Sequence, residues 1–555
     1  MGALTRCSRL LKLTLLLVTL LAGSVLSAAP ANTEALDAGR AIYLNGHVAN
    51  GALLQAHRDA NTNVSGMAAA CVNCHQRSGL GGREGRATIP PITGRYLFSQ
   101  GGDADSTQGL PFVEGTRGDR VAYTDETLAR VIREGVNSEG RQLSYLMPTF
   151  DLSDADMAAL IAYLKALDKR RVPGVTATTL HFATIITPDA DPIKRQGMLG
   201  VLNQFFADHN ARPMVDAPRM VTSNRTLYSK SMARVHRVWE LHVWELTGPA
   251  STWQQQLAAR LAREPVFAVV SGLGGKNWQP VHAFCEQAAL PCLLPNVELP
   301  VVAEADFYSQ YFSRGVLLEA GLMAQGLQSA ASTQAIKTVT QIYRANDVGE
   351  AASQELAKLL TAQGITVKSS VLAAEASGDA VSQQVAASKT SDALVLWLRS
   401  AELTALPATP GTAQQVYVSG LMGGLENAPL PIGWRDQTHI AYPFDLPEAR
   451  KVRVDFAQGW FSLRKIPVVS LQVQADTYLA CGLLSETINH MVDTFVRDYL
   501  VERFQTLLEH RAVTGYYPRL ALATGQHFAS KGGHLVRFAG ANGTKLVSEH
   551  NWIVP

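Results

Sequence analysis

Cys71-Val72-Asn73-Cys74-His75 is the stretch on which the reading of the chain turns. Two thiols three positions apart, followed at once by an imidazole, match the spacing by which a porphyrin is fixed covalently to a polypeptide. Each thiol can add to one vinyl group, and the adjoining His then lies under the ring with a nitrogen for the iron. The same five residues also fit a thiol redox pair, so the reading depends on what surrounds them.

Downstream, Ser78-Gly79-Leu80-Gly81-Gly82-Arg83-Glu84-Gly85 is a glycine-rich turn that lets backbone pass close to a flat ring. It lacks the GxxxxGK pattern of a phosphate loop. Ile89-Pro90-Pro91-Ile92-Thr93-Gly94 follows, stiffened by its prolines. In Leu146-Met147-Pro148, a Met followed by Pro can offer a thioether sulfur to the iron face opposite His75. Ser153 is placed to cap the next helix, with Asp156 at the reciprocal position. Met157, Leu160, Ile161 and Leu164 recur at helical spacing, so Met157 belongs to a core face and is not a ligand. Upstream, Leu36 to Tyr43 reads as a short helix, and about 25 residues separate it from Cys71. His57, within that gap, is a surface residue or an alternative ligand.

Residues 35–168 resemble a class I cytochrome c. The resemblance rests on Gly39 and Tyr43, the Cys71–His75 site, Pro90-Pro91-Ile92-Thr93-Gly94, Met147-Pro148 and a last helix ending Ala162-Tyr163-Leu164. It implies an all-α domain with one covalent haem c on Cys71 and Cys74, axial ligation by His75 and Met147, and one-electron transfer. The stretch from His47 to Gly66 reads as an insertion relative to that family.

Outside this region, Met1 to Ala29 has a basic start (Arg6, Arg9, Lys12), an apolar run over Leu13–Leu21, and small residues for cleavage. It reads as a signal peptide over residues 1–28. The apolar run is shorter than the ~20 residues of a spanning helix. Removing the leader takes the formal charge from +2 to −1, which gives no argument for nucleic acid. No second membrane span is expected, and the mature chain is expected in a bacterial periplasm, where haem attachment takes place. With 47% hydrophobic and 17% charged residues, the 555-residue chain suits globular material of several domains, not disorder. Cys285 and Cys292 are expected to close a disulfide in an oxidising compartment. Cys481 is left over, as a buried inert thiol or a reactive one.

Asp168-Lys169-Arg170-Arg171-Val172-Pro173-Gly174 breaks the helix, and residues 169–178 are read as a linker. From Thr179 to the C-terminus, apolar strands alternate with helices: Leu180–Thr187, Leu241–Leu246, Pro265–Ser271, Cys292–Leu294, Ile336–Tyr343, Ala393–Leu398 and Gln415–Gly420 are the strands. That texture predicts parallel sheets covered on both faces, with ligands at the carboxyl ends of the strands. Near the end, one long helix is expected over Thr477–Glu509. The order of elements over residues 179–555 resembles the type I periplasmic binding proteins, the group that includes branched-chain amino acid receptors. The local support is Val270-Ser271-Gly272 before a helix, the strand–Tyr343…Gly349–helix unit and the segment from Tyr517 to Phe538. The resemblance implies two α/β lobes joined by crossing strands around a cleft. Asn296-Val297-Glu298-Leu299-Pro300 and Val348 depart from the amino-acid-binding pattern, so an amino-acid ligand is not expected. By position, the cleft candidates are Ser271, Gly272, Asn296, Tyr343 and Ser419.

The expected fold is multidomain: an all-α cytochrome c domain, then a two-lobed α/β domain. The expected function is that of an exported mono-haem electron carrier, not an enzyme. Its second part is expected to dock a periplasmic redox partner, such as a quinoprotein dehydrogenase, or to bind a small molecule. The alternative is a solute receptor of an ABC-type uptake or sensing system with an accessory haem domain. A haem peroxidase ranks last, because Met147 would close the iron.

Overall fold

The computed structural model describes residues 30–59, 62–84, 87–99, 121–167, 172–211, 237–303, 306–334, 336–388, 391–410, 415–491, 494–510, 515–523, 525–539 and 545–555. The leader, Asp168 and the 169–171 part of the linker lie outside the described residues. Two compact units are formed, Met1–Arg171 and Val172–Pro555.

In the first unit, helix Pro30–Asn45 crosses helix Asp154–Ala166. The crossing is close because Gly39 has no side chain: a Cβ there would lie 2.1 Å from the carbonyl oxygen of Ala159. Tyr43 stacks at a tilt on Tyr163, centroids 5.4 Å apart. Ser153 caps the second helix by accepting from Asp156 N–H, and its hydroxyl donates back to the Asp156 carboxylate at 2.6 Å. Met157 is buried in the core these helices share with Leu128, Val131 and Phe150. Helix Asp125–Glu134 carries a Thr124/Thr127 capping box and ends on Gly135 in the left-handed conformation.

The unit is not all-α, which corrects the expectation. Strands β1 (Gln55–Asp59), β2 (Thr62–Ser65) and β5 (Thr149–Asp151) form an antiparallel sheet in the order β2-β1-β5, and β3 (Gly82–Glu84) pairs with β4 (Ala87–Ile89). The insertion is therefore a hairpin laid on the strand that follows Met147-Pro148. Its alternation supplies the reason: Leu54 and Ala56 are buried while Gln55 is exposed. His57 bonds Asn63 and Asp151, each at 2.8 Å, pinning the hairpin to β5 at the surface.

The second unit contains two sheets. β6 (Thr179–Ile186), β7 (Val238–Glu245), β8 (Ala268–Val270), β9 (Cys292–Leu293) and β10 (Ser309–Gln310) form one, in the order β10-β9-β8-β6-β7, all parallel. β11 (Thr338–Arg344), β12 (Thr366–Leu372), β13 (Ala393–Trp397), β14 (Gln415–Ser419) and β15 (Thr438–Tyr442) are parallel in the order β12-β11-β13-β14-β15. Antiparallel β16 (His534–Ala539) and β17 (Lys545–Ser548) extend this second sheet. Each parallel part has the doubly wound order in which the first strand lies between the second and the third. β8 and β13 are buried at every position, as continuous apolar strands in two-sided sheets must be.

Three crossings join the lobes. The chain leaves the first sheet at Tyr311–Ser313 for helix Val316–Gln334 and returns through helices Pro447–Leu463 and Leu471–Met491. It crosses again at residues 527–530, which pair with the first crossing: Tyr311 N–H donates to His527 O at 2.8 Å and Ala529 N–H to Tyr311 O at 3.0 Å.

Two further expectations are corrected. The single helix over Thr477–Glu509 is two, Leu471–Met491 and Arg497–His510. Tertiary contacts redirect it: Phe495 packs edge-on to Phe267, and the Arg497 guanidinium donates to the carbonyls of Val266, Phe267, Ala288 and Ala289. Cys285 and Cys292 are buried free thiols, not a disulfide. They lie in the same first-lobe core, and the neighbouring Cys292 thiol together with burial pushes the Cys285 thiol well above the ordinary range. Cys481 is also buried, and burial pushes its thiol well above the ordinary range.

Candidate functional site

Cys71 precedes a single helical turn, Val72–His75, in which His75 N–H donates to Cys71 O at 2.9 Å. The turn puts Cys71, Cys74 and His75 on one side, since residues three and four apart share a helix face. Gln76, at φ +63°, ends it, and Tyr43 Oη donates to Gln76 O at 2.6 Å, tying the motif to helix Pro30–Asn45. His75 is buried, and its Nδ1–H donates to Pro90 O at 3.0 Å. That bond fixes ring and tautomer, and leaves Nε2 as the lone-pair nitrogen. Among the described residues Nε2 has no hydrogen-bond partner. Burial pushes the His75 pKa down to about 4, so the ring is neutral, the form that binds a metal.

The acceptor loop is held by glycine. Gly81 lies at φ +65°, and a Cβ on it would sit 2.2 Å from Ile89 O and 2.8 Å from Pro90 O. Gly81 N–H also donates to His75 O at 3.1 Å. Thr93 Oγ1 is buried without a partner among the described residues, and its methyl lies 3.5 Å from where a Cβ of Gly79 would be. Met147 is half-buried against the same apolar cluster that Cys71 and Val72 touch, in a turn closed by Met147 N–H to Ser144 O at 3.0 Å. Burial pushes the Cys71 thiol up to about 12. Thiol redox pairs have lowered values, so the Cys71 environment is unlike theirs. A neutral imidazole with a fixed free nitrogen, two thiols on its face and a thioether in the adjoining core fit a covalent haem. When bound, that group would supply a one-electron couple, and its ligands would come from His75 and Met147.

Residues 65–168 match the family model described as "Cytochrome c". This chain carries a cytochrome c domain. Comparison with curated proteins found no match. Among solved structures, the chain is similar to a fatty acid ABC transporter substrate-binding protein from Thermomonospora curvata, with 15% identity over 70% of this chain and 95% of that one, at TM-score 0.49. It is also similar to the leucine binding protein LivK from Thermotoga maritima, with 13% identity over 68% and 99% of the two chains, at TM-score 0.47. A branched chain amino acid ABC transporter from Thermus thermophilus with bound valine gives 10% identity over 69% and 97%, at TM-score 0.48. The cytochrome c domain thus precedes an α/β body whose own strand order places it among two-lobed doubly wound folds.

At the carboxyl ends of the strands of that body lies a cavity of about 60 Å³. Of the five cleft candidates, Asn296 lines it. Ser271 stands behind: it is buried at φ +49°, accepts from Asn296 Nδ2 at 3.0 Å and donates to Thr477 Oγ1 at 2.9 Å, so it anchors helix Leu471–Met491 to the first sheet. Gly272 packs against Trp278, where a Cβ would come within 2.6 Å of the ring. Tyr343 belongs to the second-lobe core, and Ser419 caps the turn Gly420–Gly423 and bonds the Glu319 carboxylate.

Sequence reading missed the charged residues of the cleft. Asp476, in helix Leu471–Met491, lines the cavity; its Oδ2 accepts from Gln472 Nε2 at 2.6 Å, while Oδ1 is buried and unpartnered among the described residues, as is Asn296 Oδ1. Burial pushes the Asp476 pKa up to about 8, so it is a carboxylic acid at neutral pH. Its signal was a lone acid, between Ala475 and Thr477, in the first half of a helix of mixed polarity. Glu298 accepts from Lys194 Nζ at 2.9 Å and from Arg399 at 3.0 Å, and Arg399 also makes two 2.7 Å bonds to Asp347. Burial alone would raise the Glu298 carboxyl, but the two cations hold it below the usual range. This set ties the helix after β6 to the loop after β13, one from each lobe.

Proposed function

We propose that the chain is an exported electron carrier. In this reading Cys71 and Cys74 would hold one haem c covalently and His75 and Met147 would ligate its iron, a group that would supply one-electron transfer in the periplasm. The supporting observation is the His75 imidazole, neutral and aimed by Pro90 O so that Nε2 is free. His75 and Met147 would both be taken up by the haem iron, which would leave no site open to a substrate, so the chain is read as a carrier and not an enzyme. The two-lobed body then docks a redox partner, of which a quinoprotein dehydrogenase is the candidate class. A spectroelectrochemical titration of the full chain tests this reading. A single reversible one-electron transition is expected, and a non-reversible or multi-electron response would count against it.

The cavity supports a second role for the same body, that of a receptor for a small polar ligand. Asn296 Oδ1 is an acceptor left for a ligand's donor, and the protonated Asp476, whose Oδ2 already accepts from Gln472, offers its Oδ1 hydroxyl as a donor to a ligand's acceptor. A thermal-shift screen of the full chain with polyols, amines and organic acids tests it. A rise in Tm with one class supports the receptor role, and no rise with any leaves the docking role alone.

A further inference from the structure

The first-lobe sheet ends in an edge strand, β7, that carries Glu240 and His242 on one face. Glu240 is the direct cross-strand partner of His181 on β6. Period-two alternation puts all three side chains on the same side of the sheet. His181 Nδ1 lies 3.1 Å from His242 Nε2 and 3.5 Å from Glu240 Oε2, and His242 Nε2 lies 3.7 Å from Glu240 Oε1. Donor atoms about 2.0–2.1 Å from a zinc ion lie about 3.3 Å apart at the tetrahedral angle. The three separations bracket that value.

Other observations point the same way. The other nitrogen of His242, Nδ1, lies 3.5 Å from Glu264 Oε2, and the same oxygen accepts from Trp244 Nε1 at 3.1 Å. A carboxylate behind a ligating imidazole is the usual outer partner that orients the ring. Glu264 also caps the C-terminus of helix Trp253–Arg263, the end whose dipole favours a cation. Glu240's side chain is 54% exposed while those of His181 and His242 are 23% and 16% exposed, which gives the ion a way in and a fourth position for water. The two imidazoles stack with centroids 5.4 Å apart. With both rings neutral, one must donate to the other across the 3.1 Å contact; a metal lets both nitrogens act as lone-pair donors. A second His/carboxylate cluster among the described residues differs, because its partners are already used. His282 bonds Tyr311 Oη and Asp306, and the Glu286 carboxylate accepts backbone N–H groups from Phe307, Tyr308 and Ser309.

We propose that His181, Glu240 and His242 form a binding site for a divalent transition metal, zinc being the best match to two imidazoles and a carboxylate. Glu264 is its positioning residue. The site clamps the edge strand β7 to β6.

The test uses the haem-loaded full chain, stripped with a chelator and titrated with Zn²⁺ against a chromophoric competitor. Zinc per chain is counted by elemental analysis after desalting. One Zn²⁺ per chain is expected, with a rise in Tm. Glu264→Gln should weaken binding about 10-fold or more, and His181→Gln and His242→Gln should abolish the stoichiometric site. Glu240→Gln alters an exposed side chain and serves if a His variant fails to fold. Far-ultraviolet circular dichroism and the haem spectrum, unchanged in each variant, control for folding. No retained zinc, or retention equal in wild type, His242→Gln and Glu240→Gln, would overturn the proposal.

Discussion

Gly81 and Asp476 show how single residues set the two sites. A methyl on Gly81 would collide with the backbone carbonyls that include the acceptor of His75, at a φ of +65° that already disfavours a side chain. Gly81→Ala is expected to cost about 1–3 kcal/mol in urea unfolding and to perturb the haem spectrum. An unchanged spectrum would separate the loop from the ligand. Asp476 gives a pH signature. Its folded pKa, pushed up to about 8, exceeds that of the unfolded chain. The folded state therefore holds a proton that the unfolded state releases between roughly pH 4 and 8, and stability falls as pH rises through that window, by about 1.4 kcal/mol per unit at most. Asp476→Asn should flatten this slope and be more stable than the parent at pH 8. Equal slopes for the two proteins would contradict the buried, protonated acid. At this scale the Cys71–His75 stretch was legible because covalent porphyrin attachment demands two thiols and an imidazole at a fixed spacing. Asp476 was not, since burial of a lone acid depends on neighbours distant in sequence.

Among the elements, the hairpin β1–β2 and the helix crossing at Gly39 carry the first unit. His57 is an exposed staple between β1 and β5, and such pairs contribute little. His57→Ala should leave the Tm nearly unchanged and the haem spectrum untouched; a spectral change would make His57 a ligand. The hairpin lay in a stretch of Gly and Asn that gave no clear period, and its pairing with Thr149–Asp151 is made across about 90 residues. Local reading could not supply that. Helices with caps and apolar faces, such as Asp154–Ala166, were read correctly because their signals are local. The break before Arg497 was hidden, because four carbonyls of the first lobe decide it.

Over the whole molecule, the alternation of apolar strands and helices revealed the α/β body, while β12 and β15 went unread. β12 is an exposed edge strand of mixed polarity, and β15 is short and holds His439 among its apolar residues. Besides the chain crossings, an ionic set links the lobes: Lys194, Glu298, Arg399 and Asp347. Lys194 and Arg399 are 35% and 37% exposed, so the set is screened and its loss should cost less than that of a fully buried pair. Glu298→Gln is expected to lower stability by about 1–3 kcal/mol and to widen the spread of shapes seen by small-angle scattering.

The central assignment, a single porphyrin held by His75 and Met147, is tested most directly by the reduced visible spectrum of the exported chain beside its Met147→Ala variant, with intact mass measured on both. One porphyrin mass per chain is expected, with a six-coordinate low-spin spectrum in the parent that gives way to a five-coordinate one in the variant. No added mass, or identical spectra for the two proteins, would contradict it.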